Sequence, residues 1–116
     1  MEVAFHPDAF AEWEALPTRE YAAMARAFEK LRELGDQLGF PHTSNVEGAA
    51  SLRELRPRQG RSPWRALYRR IGDRVVVGAV GPEALHDRRG FRRAVDAAEA
   101  RLAGMERERT DGDQAD

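Results

Sequence analysis

The chain has 116 residues, no cysteine, 41% hydrophobic and 34% charged residues, and a formal net charge of −1. That length fits one domain, able to bury roughly two-thirds of its unfolded surface. The lack of cysteine excludes disulfides and thiolate metal sites, and no run approaches the ~20 apolar residues of a membrane span. The opening MEVAFHPDAF is too short and too acidic for a signal peptide, so a cytoplasmic location away from membranes is expected.

Charge is distributed unevenly. Residues 1–50 hold 4 Lys/Arg against 9 Asp/Glu, whereas residues 51–93 hold 12 Arg against 4 Asp/Glu. A basic second half suits an anionic partner. Its bland counterpart is a solvated surface in a chain that uses arginine almost everywhere in place of lysine.

Residues 1–6 predict a short strand with Val3 and Phe5 on one face. Pro7 suits the first turn of a helix and Asp8 its N-terminal dipole. Phe10, Trp13 and Leu16 then recur at helical spacing until Pro17. Thr18 is placed to cap a second helix, in which Tyr21, Met24, Phe28, Leu31 and Leu34 or Leu38 form an apolar stripe. A short connection and paired stripes predict a helical hairpin packed on a sheet. Residues 35–50 read as a loop, with turn chemistry at Gly39, Pro41, Ser44-Asn45 and Gly48; His42 and Glu47 sit in it.

The stretch 51–80 organises the rest. SLRELR, WRALYRRI and RVVVGAV are separated by PRQGRSP and Gly72-Asp73, which predicts an antiparallel meander. In the second run Trp64, Ala66 and Tyr68 alternate with Arg65, Leu67 and Arg69, so one face buries aromatics while the other presents arginines. The continuously apolar third run predicts an interior strand covered on both faces. Gly81-Pro82 stops it. A connection holding His86, Asp87, Arg88 and Arg89 leads to a last helix with Phe91, Val95, Ala98, Leu102 and Met105 on one face. Residues 106–116 are polar and read as a disordered tail, leaving one domain over 1–105. The fold class expected is α+β: a mainly antiparallel twisted sheet, an N-terminal helical hairpin on one face and a C-terminal helix.

Leu38-Gly39-Phe40-Pro41, then Leu52-Arg53-Glu54-Leu55-Arg56, then Arg65-Ala66-Leu67-Tyr68 follow one another in order and spacing. This pattern resembles the RelE/ParE superfamily of type II toxins, most closely HigB-like members, over about residues 1–104. The resemblance implies a ribosome-dependent mRNA endonuclease that inhibits translation, needs no cofactor or metal, and is neutralised by a cognate antitoxin of helix-turn-helix type. Its partners would be the ribosome and mRNA. Attack of a ribose 2′-OH on the adjacent phosphate needs a base, cations for the phosphorane and an acid for the leaving oxygen. By the resemblance Arg65 contacts the phosphate, Arg56 lies beside it, Glu54 (or Glu47) is the base and His86 the acid. Arg58, Arg61, Arg69, Arg88 and Arg89 would bind phosphates and Phe91 would stack on a base. Arg65→Ala is expected to leave the fold intact, because the Trp64/Tyr68 face is untouched. The chain departs from the family in lacking lysines on the first meander strand, in having Gly81-Pro82-Glu83 after the last strand, and in Phe91 where some relatives have tyrosine. A ParE-like gyrase-binding toxin without nuclease chemistry and an inert phage or relic homologue are the alternative functions.

Overall fold

The computed structural model describes residues 1–115, and side-chain surroundings through Arg109. Strand β1 (Glu2–Phe5) is followed by helices α1 (Pro7–Glu14) and α2 (Thr18–Leu34), then strands β2 (Thr43–Asn45), β3 (Arg53–Leu55), β4 (Trp64–Ile71) and β5 (Arg74–Pro82), and finally helix α3 (Arg88–Ala115). The strands form one sheet in the order β1-β5-β4-β3-β2. Only β1 pairs in parallel, with β5; the other pairings are antiparallel. The fold is therefore the expected α+β arrangement.

The hairpin α1–α2 packs on one face. Met24, Phe28 and Leu31 of α2 are buried with Leu38, Leu55, Ala66, Tyr68, Val75 and Val77. Leu38 completes the stripe, while Leu34 and Tyr21 are exposed. Phe5 stacks on Trp13 at 5.6 Å and Trp13 on Tyr21 at 4.6 Å, which ties the hairpin to β1. The cap of α1 is the His6 side chain, which accepts from the Asp8 N–H at 3.1 Å. Thr18 is not the cap of α2: Pro17 occupies that position with no side-chain hydrogen bond, and Thr18 begins the helix.

Helix α3 covers the opposite face, where Ala94, Ala98 and Leu102 pack on Leu67, Ile71, Val76 and Ala79. The pairing of β4 with β5 shifts between Leu67 and Tyr68, so that Gly78 is passed over in the register. A methyl at Gly78 would lie 2.8 Å from Leu102 Cγ and 3.1 Å from Ala98 Cα, so α3 approaches this strand closely only because Cβ is missing. Strand β5 is interior and covered on both faces, as its apolar run predicts.

Three expectations are corrected. The segment 35–50 is not all loop, since Thr43–Asn45 forms the edge strand β2. Thr43 is fully buried, its hydroxyl donating to Glu54 O at 2.9 Å and lying 2.7 Å from Tyr68 Oη. The face carrying Arg65 and Arg69 is not open, because α3 lies over it. Helix α3 also starts at Arg88, three residues before Phe91; along it Glu106 Oε1 lies 3.8 Å from Arg69 Nη1. Among the described residues no helix is long and apolar enough to cross a membrane.

Candidate active site

Glu54, on β3, projects to the α3 side of the sheet, opposite Leu67 in register. Its Oε1 accepts from Ser44 Oγ and from Arg56 Nη1, each at 3.1 Å, and lies 3.7 Å from Arg65 Nε. Oε2 has no hydrogen bond among the described residues. Arg56 is itself fixed, with Nε donating to Pro41 O at 3.1 Å and its guanidinium 5.2 Å from the Phe40 ring. The sequence thus places Glu54, Arg56 and Arg65 together as expected, but Arg65 is not displayed.

Arg65 is 3% exposed. Nη1 donates to Ser62 O at 2.7 Å and Trp64 O at 3.0 Å, and Nη2 donates to Gly60 O at 3.3 Å. Glu83 Oε2 lies 3.9 Å from Nη2. Its Nε makes no hydrogen bond, standing at ion-pair distance from Glu54. Burial pushes the guanidinium below its ordinary value, Glu54 and Glu83 oppose that, and Arg56 adds to it. It stays charged throughout the physiological range. Arg65 is therefore a clamp that gathers the carbonyls of the β3–β4 connection and holds two carboxylates apart. This geometry argues that Arg65→Ala disturbs the fold: alternation assigns a strand residue to a face, but here the β3–β4 connection, Glu54 and Glu83 enclose it.

A cleft of about 800 Å³ runs between α3 and the β2–β3 edge, with Glu54, Asn45, Arg88, Phe91, Arg92 and Glu99 in its walls. Glu47 is exposed at the same cleft. Four residues singled out from the sequence, Glu47, Glu54, Arg88 and Phe91, meet here. Arg88 and Arg89 occupy the first turn of α3, where the helix dipole is already positive and cations are unfavourable. An anion placed there gains from both. Asp87 caps this end, accepting from the Gly90 N–H at 2.9 Å.

The remaining candidates stand elsewhere. His86 is exposed and borders a separate depression with Glu12, Trp64, Arg93 and Arg101, so it does not join Glu54. Arg58 is turned to the hairpin face, where Nη2 donates to Glu20 Oε2 at 2.5 Å. Burial pushes the Glu20 carboxyl up, but hydrogen bonds from the Ser62 hydroxyl and the Arg58 guanidinium, with the charges of Arg58 and Arg19, outweigh it and hold the group below its ordinary value. Arg61 is exposed and donates to Arg58 O at 3.1 Å. Arg69 is occupied by Glu99 at 2.9 Å and Ala50 O at 3.1 Å. Arg89 is exposed outside the cleft lining. Sequence reading missed Ser44, Glu83 and Arg92. Arg92 had a signal, since Arg88, Phe91, Arg92 and Val95 recur at helical spacing along one stripe.

A five-stranded mixed sheet clasped between a helical hairpin and a C-terminal helix is the fold of RelE-type toxins. A variant of E. coli toxin RelE in the free state superposes with a TM-score of 0.57 at 19% identity, over 81% of this chain and 93% of that one. The YoeB/ParE toxin from Agrobacterium tumefaciens gives 0.57 at 15% identity, over 72% and 99%. The toxin–antitoxin complex RelBE2 from Mycobacterium tuberculosis gives 0.50 at 29%, over 70% and 95%. No curated protein sequence matches the chain. Residues 11–81, more than half of the chain, match the family described as phage-derived protein Gp49-like, and the chain belongs to that family.

Proposed function

We propose that the protein is the toxin of a type II toxin–antitoxin pair, of the HigB-like subtype, and that it acts in the cytoplasm as a ribosome-dependent mRNA endonuclease that inhibits translation. The supporting observation is the state of Glu54: one oxygen is held by Ser44 and Arg56, and the other is unpartnered beside a cleft lined by Arg88, Arg92 and Phe91. A carboxylate fixed at one oxygen is oriented to take a proton at the other. In this reading Glu54 Oε2 removes the ribose 2′-OH proton, the 2′-oxygen bonds to phosphorus and the bond to the 5′-oxygen breaks. Arg88 and Arg92 offset the developing charge, and Phe91 stacks on a base. With His86 outside the cleft, the leaving oxygen takes its proton from solvent. No cofactor or metal enters the scheme. The cognate antitoxin, proposed to be of helix-turn-helix type, covers the basic half with an acidic segment, and their association weakens with salt.

Controlled expression in a bacterium with mapping of RNA 5′ ends tests this. Growth arrest with new mRNA ends inside coding frames supports it, and arrest with intact mRNA refutes the nuclease step. A second reading, a gyrase-binding toxin without nuclease chemistry, draws support from the internal neutralisation of Arg65 by Glu54 and Glu83, and of Arg69 by Glu99. Its signature is a DNA-damage response with uncut mRNA. An inert phage homologue arrests nothing.

A further inference from the structure

On the hairpin side of the sheet, away from the Glu54 cleft, a second groove lies between α2 and the β3–β4 connection. Its floor is apolar, built from Ala23 and Ala27 of α2 with Leu55 and Pro57. Its rim carries Arg26, Lys30, Arg56 and Arg58; Arg56 and Arg58 already meet Glu54 and Glu20 outside the lining, which leaves Arg26 and Lys30 as the cations open to a partner. The volume is about 130 Å³, close to the ~150 Å³ of an engineered apolar cavity that holds a benzene. One leucine, isoleucine or phenylalanine side chain fits that space, whereas a nucleobase carrying its ribose does not.

The cations are arranged in ways the isolated chain does not favour. Arg26 and Lys30 are exposed one turn apart on α2 with no ion pair among the described residues. Like charges at that spacing repel. Arg58 and Gln59 both sit in left-handed backbone, at φ 54° and 60°, where side chains are strained. That turn holds Arg56 against Gly60, where a Cβ would collide with the guanidinium. The same guanidinium lies 5.2 Å from the ring of Phe40, which is 77% exposed. Small residues beside the unpaired Arg26 and Lys30, flanked by a bare aromatic ring, make a surface complementary to an apolar anchor next to carboxylates.

We propose that this groove docks an acidic peptide segment of a partner protein. One Leu, Ile or Phe of the segment enters the Ala23/Ala27 floor, and neighbouring Asp or Glu side chains pair with Arg26 and Lys30. The groove shares Arg56 with the Glu54 site, where that guanidinium holds Glu54 Oε1, so the test variants are confined to Arg26, Lys30 and Ala27, which lie outside the Glu54 cleft. The test is a selection from a random peptide library against the immobilised full-length protein. The strongest peptides are then synthesised and their affinities measured by fluorescence anisotropy. The enriched sequences are expected to set two or more Asp/Glu around one Leu, Ile or Phe. Binding should fall at least about tenfold, equivalent to ~1.4 kcal/mol, for the Arg26→Glu/Lys30→Glu variant, whose altered side chains are exposed. Ala27→Leu, which fills the floor and keeps every charge, should weaken binding as well, with the thermal midpoint recorded to confirm folding. Failure to enrich any peptide, enrichment of non-acidic peptides, or equal affinity for wild type and the charge-reversed protein overturns the proposal. So does loss of affinity by the same variant for an oligouridine probe but not for the peptide, which assigns the groove to nucleic acid.

Discussion

Arg65→Ala separates a structural clamp from a displayed phosphate ligand. The substitution removes three donors to backbone carbonyls, at 2.7, 3.0 and 3.3 Å from Ser62, Trp64 and Gly60. It also leaves Glu54 and Glu83 without the cation between them. Breaking a buried pair by removing one partner costs about 3–5 kcal/mol, and Arg65 is 3% exposed, so solvent does little to replace it. At roughly 4 °C per kcal/mol for a domain of this size, the thermal midpoint should fall by about 12–20 °C. Such a loss is a large share of the ~5–15 kcal/mol that keeps a domain folded. Arg65→Lys should recover only part of it, because an ammonium keeps the charge but cannot span the carbonyls that the planar fork reaches. The assay is thermal denaturation followed by circular dichroism, on wild type and both variants at one concentration. A midpoint for Arg65→Ala within about 2 °C of wild type refutes the clamp and restores Arg65 as a free surface cation.

Glu20 carries a pH dependence. Its carboxyl titrates lower in the folded protein than in the unfolded chain, so its contribution is full above the ordinary glutamate range of about 4.3. The contribution is lost as pH falls through the lower folded value; Glu20→Gln should flatten that part of the acid denaturation curve and cost about 1.5–3 kcal/mol at neutral pH. Gly78→Ala should destabilise by about 1–3 kcal/mol through the clash with Leu102 and Ala98, measured by urea titration; an unchanged midpoint would show that α3 does not pack closely on β5. Deleting residues 110–116, a polar stretch without an apolar stripe, should move the thermal midpoint by no more than about two degrees; a larger drop would show that the segment packs.

The sequence made the sheet's interior legible because hydrophobic periodicity reports burial directly. The uninterrupted run Val75–Val80 marks a strand covered twice, and Met24, Phe28 and Leu31 mark a helix face. The nearness of Glu54 and Arg56 was legible too, since they stand two residues apart where β3 ends, and the Arg56 side chain reaches back to Glu54 Oε1. What escaped depends on partners distant in the chain. The spacing of Arg65 says that it faces away from Trp64, but not that two carboxylates and the carbonyls of Gly60, Ser62 and Trp64 will surround it. An arginine in a strand reads as solvent-facing until the acceptors that compensate its burial are known. Strand β2 is three residues long, shows no alternation, and exists because Thr43 and Ser44 find β3. His86 was placed by position along the chain, and the connection after Pro82 turns it away from Glu54.

The central claim is that Glu54 works as a base in the α3 cleft, and cleavage of mRNA on programmed ribosomes by wild type and Glu54→Gln tests it most directly. The amide keeps an oxygen for Ser44 and Arg56 and removes the proton acceptor. The proposed mechanism predicts that wild type cuts, and that Glu54→Gln loses about 10²–10⁴ in rate while staying folded at the assay temperature, with a lowered thermal midpoint because Arg65 keeps Glu83 but loses the Glu54 charge. Cleavage by Glu54→Gln at the wild-type rate, or none by the wild type, contradicts it.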